Sequence, residues 1–244
     1  MADARIVVGA GGSPGSLVAV RWAATEARLR DTELRVVVAR HGQPMPGVLH
    51  EAVTEARKAA PGVDVRGIEL PGYAAPVLLH AAETASLLVV GDRPGGNLPG
   101  RPAGSVASQV ATQARCSVVV VRGKVPADGP VVVGMDDDPA ADTVVGRAFE
   151  EAALHGTSVL AVTVGGDDRP GAADGLDAWR KRYRSVPAQR EYVRGRPDRV
   201  MVDSCRAARL AVVGPRRHGY AGVLLGAIGT SLLRQADCPV LIAR

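Results

Sequence analysis

The sequence predicts an α/β protein built as two similar doubly wound domains, each a parallel sheet with helices on both faces. Three observations carry this reading. Short, uncharged, β-branched runs alternate with segments of helical periodicity along the whole chain, as in sheets whose strands are buried on both faces. The length of 244 residues allows two domains. A long stretch of the first half also returns in the second. Leu87-Leu88-Val89-Val90-Gly91 is echoed by Leu210-Ala211-Val212-Val213-Gly214. Val106, Val110, Ala111 and Ala114 recur as Ile228, Leu232, Leu233 and Ala236, each 122 residues later, and Cys116 recurs as Cys238 at the same offset. A constant offset through a helix and a strand marks a duplicated domain. The halves are set at 1–124 and 128–244, joined at Ala127–Gly129.

The elements follow in order. Arg5–Gly9 is the first strand. A glycine-rich turn leads to Pro14, which suits a first helical turn. Leu17, Val20, Ala24 and Ala27 give that helix its buried stripe. Leu34–Ala39 is a strand, Val48–Ala60 a helix stopped by Pro61-Gly62, and Asp64–Leu70 a strand with a break at Gly67. Tyr73–Thr84 is a helix, Ser86–Gly91 a strand, Val106–Ala114 a helix and Cys116–Arg122 a strand. The second half restarts at Val131–Gly134. It continues with helix Ala140–His155, strand Ser158–Val164, loop Gly165–Gly175, helix Leu176–Arg184 and strand Glu191–Arg194. Helix Pro197–Ala207 and strand Arg209–Gly214 precede the recurring helix and the final strand.

Composition narrows the function. No uncharged run approaches the roughly 18 residues of a membrane span, and Met1–Arg5 enters a strand with no signal pattern, so no membrane partner is expected. Three cysteines without metal spacing point to a reduced, cytoplasmic protein. The net charge of +5 permits nucleic-acid contact, but 3% aromatic residues argue against a base-stacking platform. Gly9-x-Gly11 opens like a dinucleotide fingerprint, yet Pro14 stands where its third glycine belongs. There is no Gly-x4-Gly-Lys-(Ser/Thr) loop and no Gly-x-Ser-x-Gly elbow. The five histidines show no ligand spacing. No catalytic or metal constellation is therefore expected, and the protein is read as a non-enzyme.

One feature points to a ligand. Strand Leu87–Gly91 runs into a Gly/Pro loop, Asp92–Ala103, and then Gly104-Ser105 where a helix begins. Free N–H groups and the positive dipole end favour a phosphate there, at the carboxyl edge of a parallel sheet. Two readings stand for Gly104-Ser105: a phosphate cradle or a plain helix cap. Asp136-Asp137-Asp138 precede Pro139. Asp138 suits an N-cap, and two readings stand for Asp136: a member of the same N-cap cluster, or a contact to a ribose or a phosphate-bound cation.

These features resemble the universal stress protein family in its tandem two-domain form. The carrying residues are the Val7–Pro14 strand and turn, the late strand ending in Gly91 or Gly214, a Gly-x2-Gly-x9-Gly-(Ser/Thr) loop and the closing Cys238-Pro239-Val240-Leu241-Ile242. The resemblance implies five parallel strands in order 3-2-1-4-5 in each half. It implies ATP, with Mg, between the ends of strands 1 and 4, and a nucleotide-responsive stress or signalling role without efficient turnover. The implied site comprises Gly9, Gly11, Gly91, Gly104 and Ser105 in the first half, and Gly134, Asp136, Gly214, Gly226 and Ala227 in the second. The apolar last strands, Ser117–Val121 and Pro239–Ala243, invite pairing and are expected to dock the two halves on each other; further association into a homo-oligomer is expected, as is a protein partner that the sequence does not name. Each half departs from the motif. Pro94 replaces the second glycine and Gly11 the strand-1 acid in the first. In the second, Gly214-Pro215-Arg216-Arg217 lacks the second glycine, the loop is one residue short and Ala227 replaces the hydroxyl. The competing reading is an interaction or structural protein with decayed nucleotide sites.

Overall fold

The computed structural model describes residues 5–92, 106–123, 128–135, 141–165, 176–214, 216–217 and 223–244. The chain divides into two compact units, Met1–Arg122 and Gly123–Arg244.

Unit 1 runs β1 (Arg5–Gly9), α1 (Pro14–Leu29), β2 (Leu34–Arg40), α2 (Pro46–Ala59), β3 (Val65–Pro71), α3 (Ala74–Ala81), β4 (Ala85–Gly91), α4 (Val106–Gln113) and β5 (Ser117–Val121). All strands are parallel, in the order β3-β2-β1-β4-β5. Ile6–Val8, Leu87–Val90 and Val118–Val121 are buried on both faces, which is why these strands read as unbroken apolar runs rather than alternating ones. Ser13 caps α1 by accepting from Ser16 N at 3.2 Å, and Pro14 takes the first helical position. Val20, Ala24 and Ala27 of the expected stripe are fully buried, while Leu17 is half-buried. The helix ends where Asp31 adopts φ 49°, a left-handed conformation that Asp tolerates better than most residues.

The expected break at Gly67 is absent. β3 continues through it, with Val36 opposite Gly67 in an unbroken register. A Cβ there would stand 2.8 Å from Val53 Cγ2 and 3.0 Å from Leu49 Cδ1. The glycine admits α2 close to the strand instead of interrupting it.

Unit 2 repeats the plan with β6 (Val131–Met135), α5 (Ala141–His155), β7 (Val159–Val164), α6 (Asp177–Arg182), β8 (Ala188–Val193), α7 (Pro197–Ser204), β9 (Leu210–Val213), α8 (Ala227–Gln235) and β12 (Val240–Ile242). The order β8-β7-β6-β9-β12 is again 3-2-1-4-5 and parallel. Three details differ from expectation. β8 begins at Ala188, earlier than the apolar pattern suggests, because an edge strand need not be apolar. Helix Pro197–Ala207 ends in a 3-10 turn, Cys205–Ala207. The stretch read as loop after Gly214 contains a small antiparallel ribbon, β10 (Arg216–Arg217) on β11 (Val223–Leu224). Among the described residues no helix is long and apolar enough to cross a membrane.

Candidate functional site

In unit 1, β1 and β4 lie side by side, with Val8 opposite Val89. Beyond their carboxyl ends the chain departs to opposite sides, from β1 toward β2 and from β4 toward β5. This is a topological switch point, where open α/β sheets leave a crevice. Gly9 and Gly91 end the two strands. A Cβ on Gly9 would stand 2.7 Å from Leu78 Cδ1. On Gly91 it would stand 2.4 Å from the carbonyl oxygen of Gly15. The first turn of α1 therefore lies flush against the end of β4, and no side chain fits between them.

Two hydroxyls that the motif reading passed over organise that turn. Ser16 Oγ donates to Ser13 O at 2.8 Å and accepts from Gly11 N at 3.3 Å. Ser13 Oγ takes Ser16 N, Ser13 O takes Leu17 N, and Pro14 lacks an N–H, so two of the first amides of α1 are bonded within the turn. Ser13 directly before Pro14 is the capping signal visible in the sequence. Among the described residues, nothing lies within 4 Å of a Cβ placed on Gly11. Past β4, Asp92 N donates to Val121 O at 2.9 Å, and the Asp92 carboxylate lies 3.3 Å from Arg122. Gly104 and Ser105 lie outside the described residues.

In unit 2, β6 and β9 make the equivalent pair, with Val133 opposite Val212. Gly134 is less constrained than Gly9: a Cβ would meet Met201 Sδ at an ordinary 3.4 Å. Gly214 follows β9, and a Cβ there would stand 2.6 Å from a methyl of Val144. Gly226 is the N-cap of α8 (φ −61°, ψ 177°) and gives it no side-chain cap. Ala227, exposed, opens the helix. Thr230 N donates to Gly226 O at 2.9 Å, and Thr230 Oγ1 donates to Leu225 O at 3.3 Å. α8 connects β9 to β12, so its N-terminal end sits at the carboxyl edge of the sheet. Its first amides carry the positive dipole end, and Gly226 offers them no side-chain cap. Asp136 lies outside the described residues.

The fold thus brings Gly9, Gly11 and Gly91 to one strand-end crevice, and Gly134, Gly214, Gly226 and Ala227 to the equivalent edge of the other unit. A separate cleft of about 230 Å³, lined by Leu79, Glu83 and Arg115 among others, lies at the amino ends of β4 and β5. It is on the opposite edge and takes no part in this site.

Two units of this strand order, each parallel and with glycines at its switch point, define a tandem doubly wound α/β protein. The model of the universal stress protein family matches residues 4–122 and again 129–244. The chain belongs to that family, in tandem form. It is 33% identical to universal stress protein Rv2623 of Mycobacterium tuberculosis over 284 aligned positions, covering 98% of this chain and 96% of the relative. Universal stress protein Rv2005c of the same organism is 31% identical at the same coverage. Both alignments are longer than this chain's 244 residues, so the relatives carry insertions that it lacks. Among solved structures, a universal stress protein from Archaeoglobus fulgidus superposes with a TM-score of 0.79 at 17% identity, covering 98% of this chain and 96% of that one.

Proposed function

We propose that the protein is a stress or signalling module that binds ATP or a related adenine nucleotide at the carboxyl edge of unit 2, with Mg accompanying the phosphates and without efficient turnover. The observation that carries this is the uncapped start of α8. It is a helix N-terminus at a switch point, next to the Gly134 and Gly214 strand ends, whose glycine N-cap supplies no side chain to its amides. Family membership supports an adenine nucleotide, through the resemblance described above. Asp136 is the residue assigned to ribose or cation. In unit 1 the matching helix start, Gly104-Ser105 before α4, lies outside the described residues, and the Gly11 and Pro94 departures from the motif favour a structural or interaction role for that half.

The test separates ligand from fold. Gly226→Asp installs a side-chain cap in a backbone conformation that any residue adopts. It should stabilise the helix by a few tenths of a kcal/mol while placing a carboxylate where a phosphate would sit. Purified wild-type protein should release nucleotide on denaturation, seen by absorbance and chromatography, and should melt higher in millimolar MgATP. Gly226→Asp should lose both responses yet melt no lower without ligand. A wild type that carries no nucleotide and shows no thermal shift would leave the interaction-protein reading in its place.

A further inference from the structure

The +5 charge of the chain is not spread over it. Residues 177–199 hold eight Lys or Arg and three Asp or Glu, a surplus of five, so the rest of the sequence is balanced. This stretch is α6, the edge strand β8 and the start of α7. The duplication supplies an internal comparison. The corresponding residues of unit 1, 54–76, hold three basic and three acidic residues. The fold therefore does not require arginines at this edge.

Equivalent positions show what changed. Gly67 of β3 lies opposite Val36, and Arg190 of β8 lies opposite Ala161 at the same point of the register. Gly67 leaves room for Val53 and Leu49 of α2. Arg190 instead holds a guanidinium, which donates to Thr163 Oγ1 at 2.9 Å and lies 4.8 Å from the Tyr192 ring. Lys181, Arg182, Arg184, Arg194, Arg196 and Arg199 are exposed around it.

β8 is also an open edge of its sheet, paired among the described residues only with β7. Its ladder uses the carbonyls of Pro187 and Val193, which accept from Val159 N and Gly165 N at 2.8 and 3.1 Å. The two-residue alternation of a parallel ladder then turns the N–H of Tyr192 away from β7. A strand edge offers alternating donors and acceptors, which a polypeptide backbone matches and a phosphodiester does not. Arg182 lies over the Trp179 and Tyr183 rings and Arg190 over the Tyr192 ring, so an arginine already takes one face of each ring that a base would stack on.

We propose that the β8 edge of unit 2 binds an extended acidic segment of another protein, which adds to the sheet as a strand. The rival account is that the charges only keep edges from self-pairing. That task is met at β3 by Arg66, Glu69 and Pro71, with both signs present, whereas a one-signed surplus selects an opposite partner.

The test uses the full chain and a fluorescent peptide of alternating Glu and Thr. An alternating Lys-Thr peptide, an oligothymidylate of matching length and anionic phospholipid vesicles are the comparisons. The Glu-Thr peptide should bind at low salt, best of the four, and weaken as ionic strength rises to about 0.15 M. Lys181→Glu combined with Arg184→Glu changes two exposed side chains outside the ladder, and should weaken binding roughly tenfold. Tyr192→Pro removes the outward N–H at an edge position where proline is tolerated, and should weaken it comparably. Tighter binding of oligothymidylate or vesicles would overturn the proposal, as would no binding to the acidic peptide. Binding that falls with the charge reversals but not with Tyr192→Pro would overturn the strand-addition geometry.

Discussion

α2 and α6 occupy the same place in their units, between the second and third strands, and different contacts hold them there. One contact is common to both. Arg57 of α2 donates to Val65 O at 3.4 Å, and Arg180 of α6 donates to Ala188 O at 3.1 Å, each across eight residues to the first residue of the next strand. α6 therefore matches the last turns of α2. Counting from these arginines, Trp179 stands where unit 1 has the fully buried Ala56. α2 has 14 residues and packs with small side chains: Ala52 and Ala56 are buried, and Gly67 gives way beneath Val53. α6 has six residues, none of them buried. It holds its place through one ring system. Trp179 lies 6.2 Å from Phe149 and 6.2 Å from Tyr183, rests on Gly146, and donates from Nε1 to Asp142 Oδ1 at 2.7 Å. A long helix can dock by many small contacts; a short one needs a large anchor.

Replacing the anchor should have the largest effect. Trp179→Ala removes the indole that spans α5 and α6, at a cost of about 3 kcal/mol. Calorimetry should show the unit 2 transition falling while unit 1 melts unchanged. A uniform small shift of both would mean that α6 is held by something else.

The glycines near the ends of β1 and β6 come next, because they hold the same place in their units and differ in what surrounds them. Gly9→Ala drives a methyl to 2.7 Å from Leu78 Cδ1 and should lose about 1.5 kcal/mol. Gly134→Ala meets only Met201 Sδ at 3.4 Å. It should be neutral or gain up to about 0.5 kcal/mol, because alanine has less backbone entropy to lose. Denaturant midpoints of the two variants check this. Equal losses would show that unit 2 is packed as tightly at its switch point as unit 1.

A smaller effect tests the anchor from the other side. A Cβ on Gly146 would stand 2.4 Å from Trp179 Cη2, so Gly146→Ala should cost about 1 kcal/mol in the wild type. In a Trp179→Ala background the same change should stabilise by a similar amount, since alanine is the better helix former. That reversal of sign is a double-mutant coupling. Additive effects would show that the indole does not rest where the contact places it.

How much of this was legible in the sequence follows from the kind of force involved. The central strands were readable because burial on both faces leaves an uninterrupted apolar run, as in Val118–Val121. The duplication was readable because offset is arithmetic. Gly67 misled, because a missing Cβ looks the same whether it breaks a strand or admits a helix; only the helix's position tells which. β8 was under-read, because its residues follow partner chemistry rather than burial. For the site, the strand-end glycines were legible as a pattern. What each glycine accommodates, the Leu78 methyls at Gly9 in one unit and the Met201 thioether at Gly134 in the other, depends on neighbours far away in the chain. Ser13 before Pro14 at α1 was a capping signal overlooked beside the more conspicuous glycines.

The smallest expected effect concerns the polar tie that unit 1 adds to its helix packing. Glu55 of α2 accepts from Lys58 at 3.2 Å and from Arg21 of α1 at 3.1 Å. These bonds, Lys58 first and then Arg21, hold the Glu55 carboxyl below its usual value. A carboxylate with a lowered folded pKa contributes stability that is present above its unfolded pKa and lost as pH falls through the folded one. Glu55→Gln should therefore lower the unit 1 melting temperature slightly at neutral pH. The gap from wild type should close as acid protonates the carboxylate in both states. Because the pair is solvent-accessible, the gap should also shrink in high salt. A gap that persists unchanged into acid would assign the contribution of Glu55 to packing. The tie between α1 and α2 would then be apolar throughout, and the contrast with α6 would lie wholly in the size of the side chains.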